Sequence, residues 1–258
     1  MTSRLDKFIS SHSEITRSEI KKLISKKLVT VNGETARDGS VKIDPETCTV
    51  CISGKPLDSR NKVYYLLNKP AGYVSATADK KDPAVTELID ENDRRKDIFP
   101  AGRLDKDSTG MLILTNDGTL SHRMLSPASH IPKFYIVKLA ESFRSEYVKE
   151  FEKGIVISGG EKCLPAKVKC FENAVNTALI EISQGKFHQV KRMFEAVGNK
   201  VEILHRVQMG ALMMPVELGF GSYIEIMHKD LSSLLDKPDF GTVFDKINEN
   251  LSSYSINI

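Results

Sequence analysis

The chain has 258 residues, 40% of them hydrophobic and 28% charged, with a formal net charge of +3. That length suits one to three domains, two by default, each able to bury a core, and the composition is that of a globular protein, neither disordered nor membrane-embedded. No apolar run approaches the roughly 20 residues needed to cross a bilayer, and the start lacks the apolar stretch of a signal peptide, so a cytoplasmic protein without a membrane partner is expected.

In "RLDKFIS" the residues Leu5, Phe8 and Ile9 fall at helical spacing, and Thr16 to Glu19 reads T-R-S-E, a capping box that opens a second helix burying Ile20, Leu23 and Ile24. The polar side of that helix carries Arg17, Lys21, Lys22 and Lys26, followed by Lys27, against one acid, Glu19. On charge alone this is a solvated helix face. "LVTVNGETA" alternates and contains the Asn32-Gly33 pair that favours a hairpin. Cys48 and Cys51 have metal-like spacing but no second pair beside them, and in an alternating strand they face opposite ways, so reduced structural thiols are expected and no metal. Ser53 to Lys62 is rich in Pro, Gly and charge and reads as a linker. The expected division is a head at 1–58, a body at 59–235 and a tail at 236–258.

The body places "VYYLLN", "GMLILTN", "KFYIVKL", "TALIEIS" and "KVEILHR" as strands among helical stretches, with few regular βαβ units. An α+β fold with a mixed, mainly antiparallel sheet follows. "HQVKRMFEAVG" is an amphipathic helix: Val190, Met193, Phe194 and Val197 form the buried stripe, Gly198 stops it, and Lys191, Arg192 and Glu195 lie off the stripe. Near the end a short helix precedes what reads as a loosely held tail. With four acids against two lysines, residues 236–258 make a poor nucleic-acid arm.

The stretch "AGRLDKDSTGMLILTNDG" concentrates polar side chains before an apolar strand. Asp105 to Thr109 spells the D-x-D-x-T of haloacid-dehalogenase phosphatases, but that loop should follow a buried strand, and here the apolar run comes after it. An EF-hand fails because Asn116 stands where the twelfth-position glutamate is needed. No Gly-rich phosphate loop with its lysine is present. From the residues alone, Asp105 either caps its loop or pairs with Arg103 at the surface.

Two resemblances add to this reading. Residues 4–44 resemble the S4 RNA-binding domain, two helices and a short β region with a basic helical face. "AGRLDKDSTGMLILTNDG" closely resembles the catalytic motif of the RsuA-type pseudouridine synthases, and "LLNKPAGYV", "KFYIVKL" and "QGKFHQVKRMFEAVGNKVEILHR" match further motifs in the same order. Head and body together extend the resemblance over about Arg4 to Asp230.

The resemblance implies that Asp105 is the essential carboxylate, attacking C1′ of a uridine or removing a C2′ proton. It implies Tyr135 as the ring that stacks on the base and helps remove the C5 proton, and Lys186 as the basic partner of Asp105. Lys191 and Arg192 are expected free for phosphate contacts, with Arg103, Arg17, Lys21, Lys22 and Lys26 as further RNA contacts. His188 and Gln189 are expected among the RNA-binding residues, shaping the site by hydrogen bonds. Without the resemblance, Tyr135 is a packing residue in a strand, Lys186 an exposed lysine, and Lys191 and Arg192 a solvated pair. The implied function is isomerisation, by a monomer and without a cofactor, of one uridine in ribosomal RNA or a partly assembled ribosomal subunit. The closest branch implies small-subunit RNA at the uridine-516 type site. The alternatives are a large-subunit RNA target and a non-catalytic assembly factor that only binds RNA.

Overall fold

The computed structural model describes residues 2–13, 15–45, 47–57 and 62–254, and the chain divides into two compact units after Lys62. Residues 58–61 of the expected linker lie outside the described residues, and Lys55–Pro56, expected to belong to it, instead pair as a strand of the first unit.

In the first unit, β1 (Ser3–Arg4) leads into α1 (Leu5–His12), and α2 (Arg17–Ser25) follows. The capping box is formed: Thr16 Oγ1 accepts from the Glu19 N–H, and Glu19 accepts from the Thr16 N–H. Then come β2 (Val29–Val31), β3 (Glu34–Thr35), β4 (Lys42–Ile43), β5 (Val50–Ile52) and β6 (Lys55–Pro56). Strands β3-β2-β5-β6 make an antiparallel sheet. Its first hairpin turns at Asn32 and Gly33, both with positive φ, the geometry that Asn-Gly tolerates. Leu5, Phe8, Ile9, Ile20, Val29 and Val50 close one small core. Cys51 sits on β5 and Cys48 before it, both half-buried free thiols.

The second unit is built on β7 (Tyr64–Lys69), β8 (Phe99–Ala101), β9 (Thr109–Thr115), α3 (Gly118–Leu125), β10 (Lys133–Leu139), α4 (Glu146–Glu152), β11 (Val156–Ile157), β12 (Glu161–Lys162), β13 (Lys167–Phe171), β14 (Ala174–Ile182), α5 (Gln189–Ala196), β15 (Val201–Met209), β16 (Leu212–Met213), β17 (Tyr223–Glu225) and α6 (Phe240–Glu249). Nine strands form one sheet, ordered β13-β14-β10-β15-β9-β7-β17, with β16 on β15 and β8 on β9. Every pairing is antiparallel except β15 with β9. The fold is therefore α+β with a mixed, mainly antiparallel sheet.

Both faces of this sheet are apolar. Alternate residues of β10 point opposite ways: Tyr135 and Val137 join the cluster that contains α4 and α5, whereas Phe134 and Ile136 join Val243, Phe244 and Ile247 of α6. This corrects the expectation of a loosely held tail. A strand as continuously hydrophobic as "KFYIVKL" needs cover on both sides, and α6 with the buried Tyr254 supplies the second cover. Each fully buried side chain of that helix face contributes about 1.5–3 kcal/mol. Among the described residues no helix is long and apolar enough to cross a membrane.

Candidate active site

Residues 102–108 connect β8 to β9. Gly102, which opens this stretch, and Gly110, the second residue of β9, have φ of +113° and +101°. At Gly110 a Cβ would stand 2.2 Å from the Arg206 carbonyl oxygen, so only glycine permits the parallel contact of β9 with β15.

The connection is held from beneath. Lys69 Nζ donates to the carbonyls of Pro70 (3.0 Å), Lys106 (3.3 Å) and Ser108 (2.8 Å), holding the loop just after Asp105. Gly72 N–H donates to Lys106 O at 2.8 Å, and Ser75 Oγ exchanges hydrogen bonds with the Leu104 backbone at 2.9 and 3.0 Å. Lys69 is fully buried, and burial pushes its ammonium down to about 8 against the opposing pull of Asp107 and Asp105.

Asp105 is half-buried, with Oδ2 3.4 Å from Lys191 Nζ and Oδ1 3.6 Å from His188 Nε2. Lys191 also reaches Asp107 Oδ1 at 2.6 Å. Partial desolvation raises the Asp107 carboxyl, but the hydrogen bond and charge of Lys191 outweigh it and hold the group below its ordinary range. Tyr135 stands opposite Arg206 in the β10–β15 register, its hydroxyl 3.5 Å from Arg206 Nη1. Arg206 is buried; its Nε donates to Met111 O at 2.7 Å and its Nη2 has no hydrogen-bond partner among the described residues. Asp105, Tyr135, Arg103, Lys186, His188 and Gln189 all line one cleft of about 430 Å³.

Three expectations change. Lys186 reaches the cleft, but its ammonium pairs with Glu161 Oε2 at 3.1 Å on β12; the cation beside Asp105 is Lys191. The reason is helical geometry. Lys186 precedes α5 and meets the β11–β12 hairpin, whereas Lys191 lies within the first turn and its ammonium reaches the loop at Asp105 and Asp107. Lys191 is thus not free for phosphate. Nor is Arg192, one residue further round the helix, which donates to Ser158 Oγ (2.9 Å), Ser158 O, Glu161 Oε1 (2.9 Å) and Phe187 O (3.0 Å). Gln189 is buried, and its Oε1 accepts the Lys186 N–H at 3.0 Å, a hydrogen bond that shapes the turn beside the cleft in line with the expectation.

Arg103 is exposed and has no hydrogen bond or ion pair among the described residues. In the first unit Arg17 and Lys21 line a groove of about 470 Å³ with Arg4 and Arg37, beside Asp6 and Asp38. Lys22 and Lys26 are exposed outside it. Sequence reasoning missed Lys69 and Ser75 as supports of the loop, and Glu161 as an anchor of α5. A lysine inside the apolar run "YYLLNK" was the available signal for Lys69. Two-residue strands flanking Gly159-Gly160 left none for Glu161.

Comparison with known proteins agrees with this arrangement. Residues 63–196 match the RNA pseudouridylate synthase family, and residues 3–47 match the S4 domain. An uncharacterized RNA pseudouridine synthase of Bacillus subtilis is 41% identical, over 91% of this chain and 99% of its own length. The ribosomal small subunit pseudouridine synthase A of Escherichia coli is 38% identical, over 90% of this chain and 100% of its own. A crystal structure of a pseudouridylate synthase, 36% identical, superposes with a TM-score of 0.64, covering 90% of this chain and 99% of that one. With its S4 domain, its mixed sheet and its aspartate loop, the chain belongs to the RNA pseudouridylate synthase family, in the RsuA-type branch, and is an isomerase.

Proposed function

We propose that this enzyme converts one uridine of small-subunit ribosomal RNA, at the uridine-516 type site, to pseudouridine, using Asp105 as its essential carboxylate. The observation that carries the reading is Asp105 set between Lys191 and His188 in a cleft whose floor holds the buried Tyr135. The small-subunit assignment rests on relatives of full-length coverage that bear that name.

In the reaction the N1–C1′ bond breaks, the base turns, and C5 bonds to C1′; the C5 proton is lost and N1 gains one. Asp105 acts on the sugar, at C1′ or at the C2′ proton. Lys191 faces the carboxylate with a positive charge that a partly buried site leaves little screened. Tyr135 offers its ring to the base and its hydroxyl toward C5. Arg103, exposed on the cleft wall, is placed for a phosphate. The uridine must leave its stack to enter, at a cost of a few kcal/mol that is least where the base is already unpaired. Folded ribosomal RNA or a partly assembled subunit therefore suits the site better than a duplex. The enzyme acts in the cytoplasm, as a monomer and without a cofactor, and the first unit holds RNA through its basic groove.

The test is tritium release from C5-tritiated ribosomal RNA, free and in assembling subunits, by the wild type and by Asp105→Asn. Release by the wild type alone, mapped to small-subunit RNA, is the expected result. Release from large-subunit RNA would overturn the target. Tight binding without release would overturn the catalytic reading in favour of an assembly factor.

A further inference from the structure

Phe187 is 74% exposed, the most exposed aromatic among the described residues, and it belongs to none of the hydrophobic clusters. It stands at the cleft rim, and its ring lies face to face with the His188 ring, with centroids 3.8 Å apart and planes within 18°. The other edge of His188 faces Asp105, at 3.6 Å from Nε2 to Oδ1. A flat aromatic surface in solvent therefore sits one ring away from the candidate catalytic carboxylate.

That surface is fixed in place. Lys186 N–H donates to Gln189 Oε1 at 3.0 Å, Gln189 N–H to Lys186 O at 3.1 Å, and Arg192 Nη1 to Phe187 O at 3.0 Å. Arg192 and Lys186 both tie the turn to Glu161. His188 holds a left-handed backbone conformation, φ +49°, which a side chain adopts at a cost unless its surroundings impose it. A pinned, exposed ring that serves no core is built for a flat ligand. Every RNA base presents such a face, and extracting one uridine leaves its neighbour without a stacking partner.

Resting on the function proposed above, we propose that Phe187, backed by His188, is the stacking platform for the nucleotide adjacent to the target uridine. The platform would replace the stack lost when the uridine turns out. It accepts any base, since the contact is with a π face, and favours purines for their larger area.

The test uses the full chain and whichever ribosomal RNA segment the wild type modifies. Phe187→Leu is expected to reduce kcat/KM roughly tenfold, mainly through KM, while Phe187→Tyr keeps the wild-type value. With an abasic site next to the target on the stacking side, the ratio of wild type to Phe187→Leu should fall toward one; on the other side it should persist. A 2-aminopurine at the stacking position should lose fluorescence on binding to wild type and not to Phe187→Leu. An unchanged thermal melt shows that Phe187→Leu is folded. Wild-type kinetics in a folded Phe187→Leu, or an equal loss on intact RNA and on both abasic RNAs, would overturn the platform while leaving the isomerase reading standing. A wild type that modifies no ribosomal RNA would overturn that reading and the platform with it.

Discussion

The Lys191 ammonium lies 3.4 Å from the Asp105 carboxylate and is held there from the other side by Asp107 at 2.6 Å. Lys191 therefore balances the charge of Asp105 from a fixed position. Lys191→Met is expected to lower kcat about 100-fold or more, in the range seen when a preorganised electrostatic partner is removed. Lys186→Met, whose ammonium is on Glu161, should cost much less. Tritium release by the two variants side by side decides it; equal losses would return the role to Lys186.

Gly110→Ala places a Cβ 2.2 Å from the Arg206 carbonyl oxygen at a φ of +101°. The parallel β9–β15 contact must open or the residue must strain. Destabilisation of about 3 kcal/mol or more is expected, with loss of activity. A urea midpoint within error of the wild type would refute the steric argument.

His205 is buried, hydrogen-bonded through Nδ1 to Thr109 Oγ1 at 2.8 Å, and burial pushes it from 6.5 down to about 4. Between those values the unfolded chain binds a proton that the folded chain refuses. Stability is thus expected to rise with pH from about 4 to 6.5 and to be lost as pH falls, by on the order of 3 kcal/mol for the full shift. Other carboxylates titrate nearby, so the measure is the difference between wild type and His205→Gln in urea unfolding at pH 7 and pH 4.5. Parallel losses in both proteins would sink the assignment.

Arg17 and Lys21 share their groove with Arg4 and Arg37. Replacing both by glutamine should weaken RNA binding and flatten its salt dependence, each lost phosphate contact reducing the slope by about 0.7–0.9. Single-turnover kcat at saturating RNA should stay near the wild-type value. An unchanged salt slope in a filter-binding titration would remove this groove from the RNA interface.

Phe244 of α6 stacks on Phe171 with centroids 5.0 Å apart and lies beneath Lys169 Nζ, 4.0 Å from the ring centre. Phe244→Ala is expected to cost about 3–5 kcal/mol. A helix that only brushed the sheet would lose under 1 kcal/mol in the same unfolding experiment.

Local order was written in the chain. The Thr16–Glu19 box, the Asn32-Gly33 hairpin, strand β10 to the residue and the buried stripe of α5 all follow from short-range preferences and periodicity, and each is formed. The family resemblance, carried by several motifs in order, pointed to Asp105 and Tyr135, and both line one cleft.

Partnership between side chains was not legible in that way. Lys186 and Lys191 are both lysines near one helix start, and only the hairpin that carries Glu161 takes the first and leaves the second facing Asp105. Lys69 stands 36 positions before Asp105 and reaches the carbonyls just after it because β7 lies beside β9. The ends of long cations are set by whichever acids and carbonyls the sheet brings within reach, and those come from distant parts of the chain. The sequence by itself determined the elements and the chemistry on offer; the packing of distant strands alone decided which charges meet.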